Sequence, residues 1–388
     1  MDFNLSEDQL AIRDAVKRIC ASFPDEYWSH KDTAAEFPHE FHRAMAMDGW
    51  LGITMPEELG GSGLGVTEAA IMMNAVASGG GGAAAMSTIQ INLFAPHPIV
   101  VLGTPEQKKR MLSPLISGAE KTCFGVTEPN AGLNTTRITT AAKKVSGGYV
   151  VNGSKIWTST AQVADNILLL TRTTPYEESA KPTDGMTIFF TKLDRSKIEV
   201  RRIPKLGRAA VDSNAIFIQD FFIPDADRIG EEGKGFYYLL HSLNPERIIV
   251  AAGAIGIAQD ALRRATAYAK ERSVFGRPIG QNQAIQHPLA ENWCDIEAAW
   301  LMTMKAASLY DRKEPCGSYA NAAKLLCGRA AFAAATQAIL THGGMGYAKE
   351  YQVERLFRES ILQRLAPITE QLILCFIAEK ELGLPKSY

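Results

Sequence analysis

The stretch from about Cys123 to Ile229 differs from the sequence on either side of it, and this change constrains the fold more than any other feature. Short runs of β-branched and aromatic residues are separated there by turn residues, which is typical of strands. Gly147-Gly148 and Asn152-Gly153 stand between such runs and predict hairpins. We therefore expect a compact antiparallel β domain of roughly 100 residues. Its predicted strands include Tyr149–Val151, Asn166–Thr171, Met186–Thr191 and Ala215–Phe222.

The sequence on both sides of this stretch has a helical character. Ser6 with Gln9 three positions later predicts a capping box at a helix start. Thr104 and Gln107 repeat that signal, with Pro105 at the first helical position. After the β stretch, Ala-rich segments of high helix propensity have lengths and connections that are typical of an antiparallel bundle. The predicted long helices are Glu246–Arg272, Gln283–Lys313, Ala320–Thr341 and Thr369–Gly383.

The order of these segments predicts the fold class. A chain of 388 residues is longer than one hydrophobic core usually supports. We expect a mainly α protein with a central β-barrel domain: a helical domain at residues 1–120, the β domain at 121–230 and a four-helix bundle at 231–388. No GxGxxG motif opens a helix after a strand, which excludes a βαβ dinucleotide fold.

Composition excludes several classes of function. The 41 Lys and Arg residues balance 42 Asp and Glu residues, so a protein that works mainly by neutralising nucleic-acid phosphates is not expected. The six cysteines never form a CxxC pair, which disfavours a zinc site and predicts reduced, mostly buried thiols. The acidic start of the chain lacks the pattern of a signal or transit peptide, so we expect a cytoplasmic protein. Apolar runs fall short of the ~20 residues of a membrane span, and none is expected.

Glycine-rich segments are expected to form turns or close helix contacts. Gly60–Gly63 and Gly79–Gly82 are not followed by the Lys-Ser/Thr of a phosphate-binding loop, so a plain loop is favoured over a phosphate cradle.

Separated motifs make the chain similar to one family. In their order and spacing they resemble the acyl-CoA dehydrogenase family along essentially the whole chain. The motifs are Pro56–Gly61, Val126–Gly132, Asn152–Ser159, Glu271–Gly276 and His342–Tyr347.

The resemblance implies that FAD binds against the β domain. Phe124, Val126 and Thr127 would line the pyrimidine side of the flavin, where backbone N–H groups and a hydroxyl can donate hydrogen bonds. Trp157 would stack on the ring face opposite the substrate, and Ser159 would donate toward N5. Taken without its motif, Trp157 would instead be interpreted as a core tryptophan of a hairpin.

The resemblance also implies a homo-oligomer, either a dimer or a tetramer. Arg272 and Phe275 match positions that reach the FAD pyrophosphate and adenine of a neighbouring subunit, and an arginine fork suits phosphate. Gln283 and the Gly343-Gly344 turn would approach the adenosine. Thr369 and Gln371 match a polar pair over the cofactor, although Thr369 can equally be a plain helix cap.

The catalytic base is predicted from a position at which this sequence departs from the pattern of the family. In many members of the family the base is a Glu just before the last helix, and the corresponding residue here is Pro367. A branch that includes isovaleryl-CoA and long-chain enzymes has its Glu on the long helix within a Glu-Arg pair, which Glu246-Arg247 matches. Glu246 after Pro245 is also typical of a first-turn acid stabilised by the helix dipole. Arg247 could position the carboxylate or a nearby turn, or lie on the surface.

Further departures concern the substrate and the cofactor. Proline cannot supply the backbone N–H that polarises the thioester carbonyl in the family. If the enzyme is a fast dehydrogenase, the Ile368 N–H, a water or a shifted pose must replace it. Ala366 is smaller than the usual Tyr, which allows a wide or branched acyl chain. Leu133-Asn134 and Leu340 replace common polar cofactor contacts, so either flavin binds more weakly or Asn134, Thr341 and His342 replace those contacts.

The resemblance implies α,β-dehydrogenation of an acyl-CoA, with Glu246 taking the α proton and electrons passing to an electron-transferring flavoprotein. Two alternatives stay open. One is non-oxidative acyl-CoA chemistry such as elimination or desulfination on the same fold, which Pro367 motivates. The other is a catalytically idle protein that binds flavin or acyl-CoA.

Overall fold

The computed structural model describes residues 4–387 and confirms the predicted order of helices, sheet and helices. Both capping boxes form: the Ser6 and Thr104 hydroxyls accept from the N–H groups of Gln9 and Gln107. The helices before the sheet are α1 (Glu7–Ala21), α2 (Asp25–Ala34), α3 (His39–Met47), α4 (Val66–Val76), α5 (Gly82–Phe94), α6 (His97–Leu102) and α7 (Pro105–Ile116).

The middle of the chain forms one sheet with the neighbour order β6-β7-β3-β2-β4-β5-β8, and β1 pairs with β4. The predicted antiparallel character is confirmed for most of this sheet, because five strand pairs are antiparallel. Strand β4 departs from it, since it runs parallel to β1 and to the start of β2. A parallel pair requires a long crossover connection, and here β2 and β3 supply it. The strands are β1 (Thr122–Gly125), β2 (Ala141–Val145), β3 (Gly148–Ser159), β4 (Asn166–Arg172), β5 (Met186–Lys192), β6 (Ile198–Arg202), β7 (Ser213–Pro224) and β8 (Arg228–Ile229).

One predicted hairpin forms and the other does not. Gly147 has a φ of 76° and links β2 to β3, as predicted. The Asn152-Gly153 pair instead lies inside β3, where the pairing with β7 shifts register. A Cβ on Gly153 would lie 2.6 Å from the Thr140 backbone, so glycine serves a close approach and a bulge here rather than a turn.

The last part of the chain is again helical. Its longest helix, α8, begins at Gly235, so the prediction of a helix start at Glu246 was wrong and Pro245 lies inside the helix. Tertiary packing overrides the proline signal, because Leu239 is already buried in a core cluster one turn and more before Pro245. The elements are α8 (Gly235–Glu271), β9 (Ser273–Val274), β10 (Arg277–Pro278), α9 (Gln283–Asp311), α10 (Gly317–His342), α11 (Val353–Ser360), α12 (Leu362–Leu365) and α13 (Glu370–Lys380).

Small residues allow the long helices to pack closely. Alanines of α8, α9 and α10 dominate one buried cluster. Gly79–Gly82 is not a loop: it forms a kinked helical segment between α4 and α5. A Cβ on Gly81 would lie 2.6 Å from the Trp28 ring, which confirms the close helix contact expected of these glycines.

Two helical stretches within residues 4–387 are long and apolar enough to cross a membrane by length and composition alone. In Val66–Leu102, 72% of the apolar window is buried in the fold, as in a core helix; in Val353–Lys380 the share is 17%. The second stretch is interrupted, since α11, α12 and α13 are separate helices. The absence of a membrane span stays a prediction.

All six cysteines are free, and four of them are buried, as expected.

Candidate functional site

The residues predicted around the flavin ring are brought together by contacts between β3 and the segment after β1. The Ile156 N–H donates to the Thr127 carbonyl at 2.9 Å. The Lys155 ammonium donates to the Val126 carbonyl at 3.1 Å. These contacts fix Val126 and Thr127 beside the end of β3.

A buried ion pair supports this arrangement. Lys155 Nζ lies 2.8 Å from Glu128 Oε1, and both side chains are almost completely shielded from solvent. Burial lowers the pKa of Lys155 to about 8, and Glu128 opposes that change. Burial would raise the pKa of Glu128, but Lys155 and the Thr139 and Thr140 hydrogen bonds hold it below its usual value. Both groups are therefore charged near neutral pH.

Trp157 is not a core tryptophan, so that alternative is wrong. Its side chain is 56% exposed and its backbone has a φ of 61°, a left-handed conformation that non-glycine residues seldom adopt. Phe124 lies nearby in the sheet and packs edge-on against Phe94 of α5. An indole face held outside the core is available for stacking.

The hydroxyl of Ser159 contacts a residue that the sequence analysis did not single out. Arg208 Nη2 donates to Ser159 Oγ at 3.0 Å, and Arg208 is only 7% exposed. No pattern around Arg208 marks it in the sequence, since it follows a glycine in an irregular segment between β6 and β7.

The residues predicted at the adenosine half form a second group at the far ends of α8 and α10. Arg272 caps α8, and Phe275 is fully exposed with a φ of 52°. Gln283 is the first residue of α9, and Gly343-Gly344 directly follows α10. All five residues are exposed in the single chain. Stacking between Tyr268 and His342, with ring centroids 4.2 Å apart, joins the two helix ends.

The helix α8 separates this second group from the proposed base. Glu246 and Glu271 are 25 positions apart on α8, which corresponds to ~38 Å along the helix. Arg272 therefore lies at the opposite end of α8 from the buried carboxylate.

Glu246 is buried inside α8, not exposed in a first helical turn, so the helix-start interpretation is wrong. Burial raises its pKa to about 7, while the positive charges of Arg247 and Lys324 act in the opposite direction. Among residues 4–387, no cationic side chain lies within 4.0 Å of its carboxylate. A carboxylate with a pKa near the operating pH suits a general base.

Lys324 is a second residue that the sequence analysis missed. It is 1% exposed, and its ammonium donates to the Ile368 carbonyl at 2.5 Å. Burial lowers its pKa to about 8. Its position offered a signal, because Ala320, Ala323 and Cys327 form the buried face of α10 and Lys324 lies among them.

Arg247 follows Glu246 on α8 and lies near the turn before α13. Its Nη1 donates to Asn244 Oδ1 at 3.2 Å, and burial lowers its pKa. It lines a cavity of about 240 Å³ together with Ile368 and Leu372, which favours a role at the turn over a surface role. A larger cavity of about 790 Å³ holds none of the predicted site residues.

The turn before α13 contains Ala366, which is half-buried, and Pro367, which is exposed. Thr369 caps α13, since its hydroxyl accepts from the Leu372 N–H at 3.4 Å, and Gln371 is exposed. Within the described part of the chain, the Ile368 N–H has no acceptor.

The candidate substitutes for missing cofactor contacts differ in accessibility. Leu133 and Leu340 are exposed, and so is Asn134. Thr341 and His342 are buried, and His342 Nδ1 lies 2.7 Å from the Ala338 carbonyl. Asn134 is therefore the most accessible of the three candidates in the single chain, and the role of all three stays a prediction.

Comparison with known proteins agrees with this architecture. Three family descriptions match the chain: "Acyl-CoA dehydrogenase, N-terminal domain" at residues 6–119, "middle domain" at 123–221 and "C-terminal domain" at 233–380. The acyl-CoA dehydrogenase FadE12 of Mycobacterium tuberculosis is 34% identical over 99% of this chain and 98% of its own length. The chain belongs to the acyl-CoA dehydrogenase family and is an enzyme of that family.

Solved structures show the same fold. The butyryl-CoA dehydrogenase of Megasphaera elsdenii has a TM-score of 0.93 and 29% identity, covering 99% of this chain and all of that one. The FAD complex of PigA has a TM-score of 0.93 and 27% identity, with the same coverage. The residues on this chain fit FAD, because Trp157 offers an exposed ring face and the nearby Thr127 N–H has no acceptor among the described residues.

Proposed function

We propose that this protein is an FAD-dependent dehydrogenase that removes one hydrogen each from the α and β carbons of an acyl-CoA thioester. The observation that carries the proposal is Glu246, a buried carboxylate on α8 whose pKa is raised to about 7. Family membership supports FAD as the cofactor. When bound, FAD supplies the acceptor for the hydride that leaves the β carbon.

The proposed cofactor site uses the two groups of residues described above. Phe124, Val126, Thr127, Trp157 and Ser159 would hold the flavin ring. The adenosine half would be held by Arg272, Phe275, Gln283, Gly343 and Gly344 of a second copy, with Thr369 and Gln371 near the cofactor. The ~38 Å length of α8 between Glu246 and Glu271 supports this division between two copies. A dimer or tetramer is therefore part of the proposal.

Glu246 is the proposed base. Its ionised carboxylate takes the α proton, and the Arg247 and Lys324 charges favour the ionised form against the cost of burial. The free Ile368 N–H is the proposed donor to the thioester carbonyl in place of the N–H that Pro367 lacks. Ala366 and Arg247 would line the substrate side, and the small Ala366 leaves room for a wide or branched acyl group.

We further propose the cytoplasm as the location and an electron-transferring flavoprotein as the electron acceptor. Free cysteines support a reducing compartment. The balanced charge supports the proposal that nucleic acid is not a partner.

The test is anaerobic mixing of the purified protein with a panel of acyl-CoAs. Dehydrogenation bleaches the flavin absorbance and forms an enoyl-CoA. Glu246→Gln keeps the size of the side chain and removes the base, so flavin reduction should slow by about 10²–10⁴-fold while acyl-CoA binding survives. Glu106→Gln, an exposed first-turn acid of α7, is the matched control and should react like the wild type.

Three results would contradict the proposal. A Glu246→Gln protein that reduces its flavin within about threefold of the wild-type rate would show that Glu246 is not the base. Acyl-CoA consumption by the wild type without bleaching would favour the second candidate, non-oxidative chemistry, which Pro367 motivates. Binding without any turnover would favour an idle protein.

A further inference from the structure

Arg208 lies where α5, the end of β3 and the start of β7 meet. Its guanidinium donates to hydroxyl groups from all three: Nη1 to Ser87 Oγ at 2.9 Å, Nη2 to Ser159 Oγ at 3.0 Å and Nη2 to Ser213 Oγ at 2.8 Å. The side chain is almost completely buried. One charged group thus connects three separate elements to the hydroxyl of Ser159.

The charge of Arg208 is not neutralised by a close partner. Among residues 4–387, no carboxylate lies within 4.0 Å of the guanidinium, and its buried Nε has no hydrogen-bond partner. The carboxylates that act on it from further away are engaged elsewhere: Glu359 pairs with Arg355, and Asp212 accepts from Asn214 and the Gln162 N–H. Burial accordingly lowers the pKa of Arg208.

An unpaired buried charge is costly, and a core arginine normally has a carboxylate partner. Arg355 shows the ordinary arrangement, since it is also buried and its Nη1 lies 3.3 Å from Glu359 Oε1. The position of Arg208 therefore favours a site for a group that carries or gains negative charge near its hydroxyl partners.

The bond from Arg208 also fixes the direction of the Ser159 hydroxyl. A guanidinium only donates, so Ser159 Oγ must accept, and its own proton points to another acceptor. Donation by a cation polarises the hydroxyl and strengthens the bond that the hydroxyl then donates. Ser159 is thereby prepared as a donor two residues along β3 from the exposed Trp157.

We propose that Arg208 is a positioning residue that holds Ser159 as a hydrogen-bond donor to the flavin and favours the reduced over the oxidised cofactor. This inference rests on the proposed function, because it requires flavin beside Ser159. The buried positive charge, one hydroxyl away, stabilises the negative charge that the ring gains on reduction. Ser87 and Ser213 hold the guanidinium in place.

The test compares Arg208→Gln with Arg172→Gln. Arg172 is a buried arginine of β4 that donates to backbone carbonyls, including Pro182 at 3.0 Å, and not to Ser159. The affinity of apoprotein for FAD and the flavin midpoint potential against a reference dye are measured. Arg208→Gln should reduce the preference for the reduced form about tenfold, a midpoint ~30 mV lower for a two-electron couple. Arg172→Gln should leave the midpoint unchanged.

The route through Ser159 is tested by a double-mutant cycle. In a Ser159→Ala background, Arg208→Gln should change the midpoint by less than a third of its effect in the wild type. An equal effect in both backgrounds would show that Arg208 does not act through Ser159 and would overturn the inference. If Arg208→Gln does not fold, Arg208→Lys replaces it: the charge stays but the fork is lost, and a preference reduced about threefold is expected.

Failure of this inference and failure of the proposed function give different results. Normal bleaching by an acyl-CoA together with an unchanged midpoint in Arg208→Gln would overturn only the role of Arg208. A wild type that holds FAD but is never bleached would remove the proposed function, and the midpoint comparison would still decide the role of Arg208.

Discussion

Lys324 and Ile368 are joined by a hydrogen bond of 2.5 Å between the ammonium and the backbone carbonyl, which ties α10 to the turn before α13. The same ammonium favours the ionised form of Glu246. One buried lysine therefore acts on both parts of the proposed chemistry, the base and the peptide that would polarise the thioester.

Replacing Lys324 by Met should move the pH dependence of flavin reduction to higher pH. The base works when ionised, so the rate should rise with pH around the Glu246 pKa of about 7. Loss of the Lys324 charge raises that pKa further, and the rate at pH 6.5 should fall roughly tenfold. Stopped-flow bleaching between pH 5.5 and 9 measures this. Lys380→Met, at an exposed position of α13, is the control and should leave the pH profile unchanged. An unchanged profile in Lys324→Met would contradict the prediction and would mean that Lys324 acts only on the turn before α13.

Glu246→Gln should stabilise the protein at alkaline pH. The folded-state pKa of about 7 lies above the usual value of 4.5, so folding favours the protonated acid. The contribution of Glu246 to the stability of wild type is therefore fully present below about pH 4.5 and is lost as the pH rises through 7. The glutamine does not titrate, so its free energy of unfolding should gain about 2.5 kcal/mol relative to wild type between pH 5 and 8.

Urea unfolding of both proteins at the two pH values measures this difference. Glu106→Gln should show no change over the same range, because its exposed carboxylate is ionised throughout. A pH-independent difference for Glu246→Gln would mean that the Glu246 pKa is not raised.

Lys155→Met should destabilise the β domain and reduce FAD occupancy. Removing the ammonium leaves Glu128 buried without its partner and releases the Val126 carbonyl, which typically costs ~3–5 kcal/mol. Lys144→Met is the control, because Lys144 pairs with Asp225 on the exposed surface and its loss should leave the stability nearly unchanged. Equal losses in thermal unfolding would contradict the structural role of the buried pair.

Arg272→Ala should weaken FAD retention without changing the fold. Arg272 is exposed beyond α8 and has the fork that suits a pyrophosphate. Loss of one such contact should lower FAD affinity by about 10- to 100-fold. Apoprotein titration measures the affinity, and size-exclusion chromatography follows the oligomer. Arg277→Ala, in the same hairpin but bonded to Asn282, is the matched control. Equal affinities in the two variants would remove Arg272 from the cofactor site.

Local signals in the sequence predicted much of the fold. Ser6 and Thr104 begin helices because their capping partners lie three residues away, within the same segment. The start of α8 escaped prediction, because burial of residues before Pro245 depends on distant parts of the chain. The bulge at Gly153 escaped for the same reason, since it is defined by the nearby Thr140 backbone.

The candidate site was predictable where motifs carried it. Glu246 and Trp157 were singled out from the sequence, and the structure showed one buried and the other exposed. Arg208 was missed because its importance comes from burial without a neutralising neighbour and from contacts across the fold, which no local pattern shows. Lys324 was marked only by its place on the buried face of α10, and its bond to the Ile368 carbonyl depends on a distant segment.

The length of α8 has a consequence for how the enzyme behaves at low concentration. Because a rigid helix holds the buried carboxylate and the exposed arginine ~38 Å apart, a lone chain in the proposed arrangement offers only half of each cofactor cradle. Cofactor retention then follows mass action between copies. Dilution would therefore release flavin from correctly folded protein. Adding Glu246→Gln chains, which keep the adenosine-binding residues, would restore flavin binding.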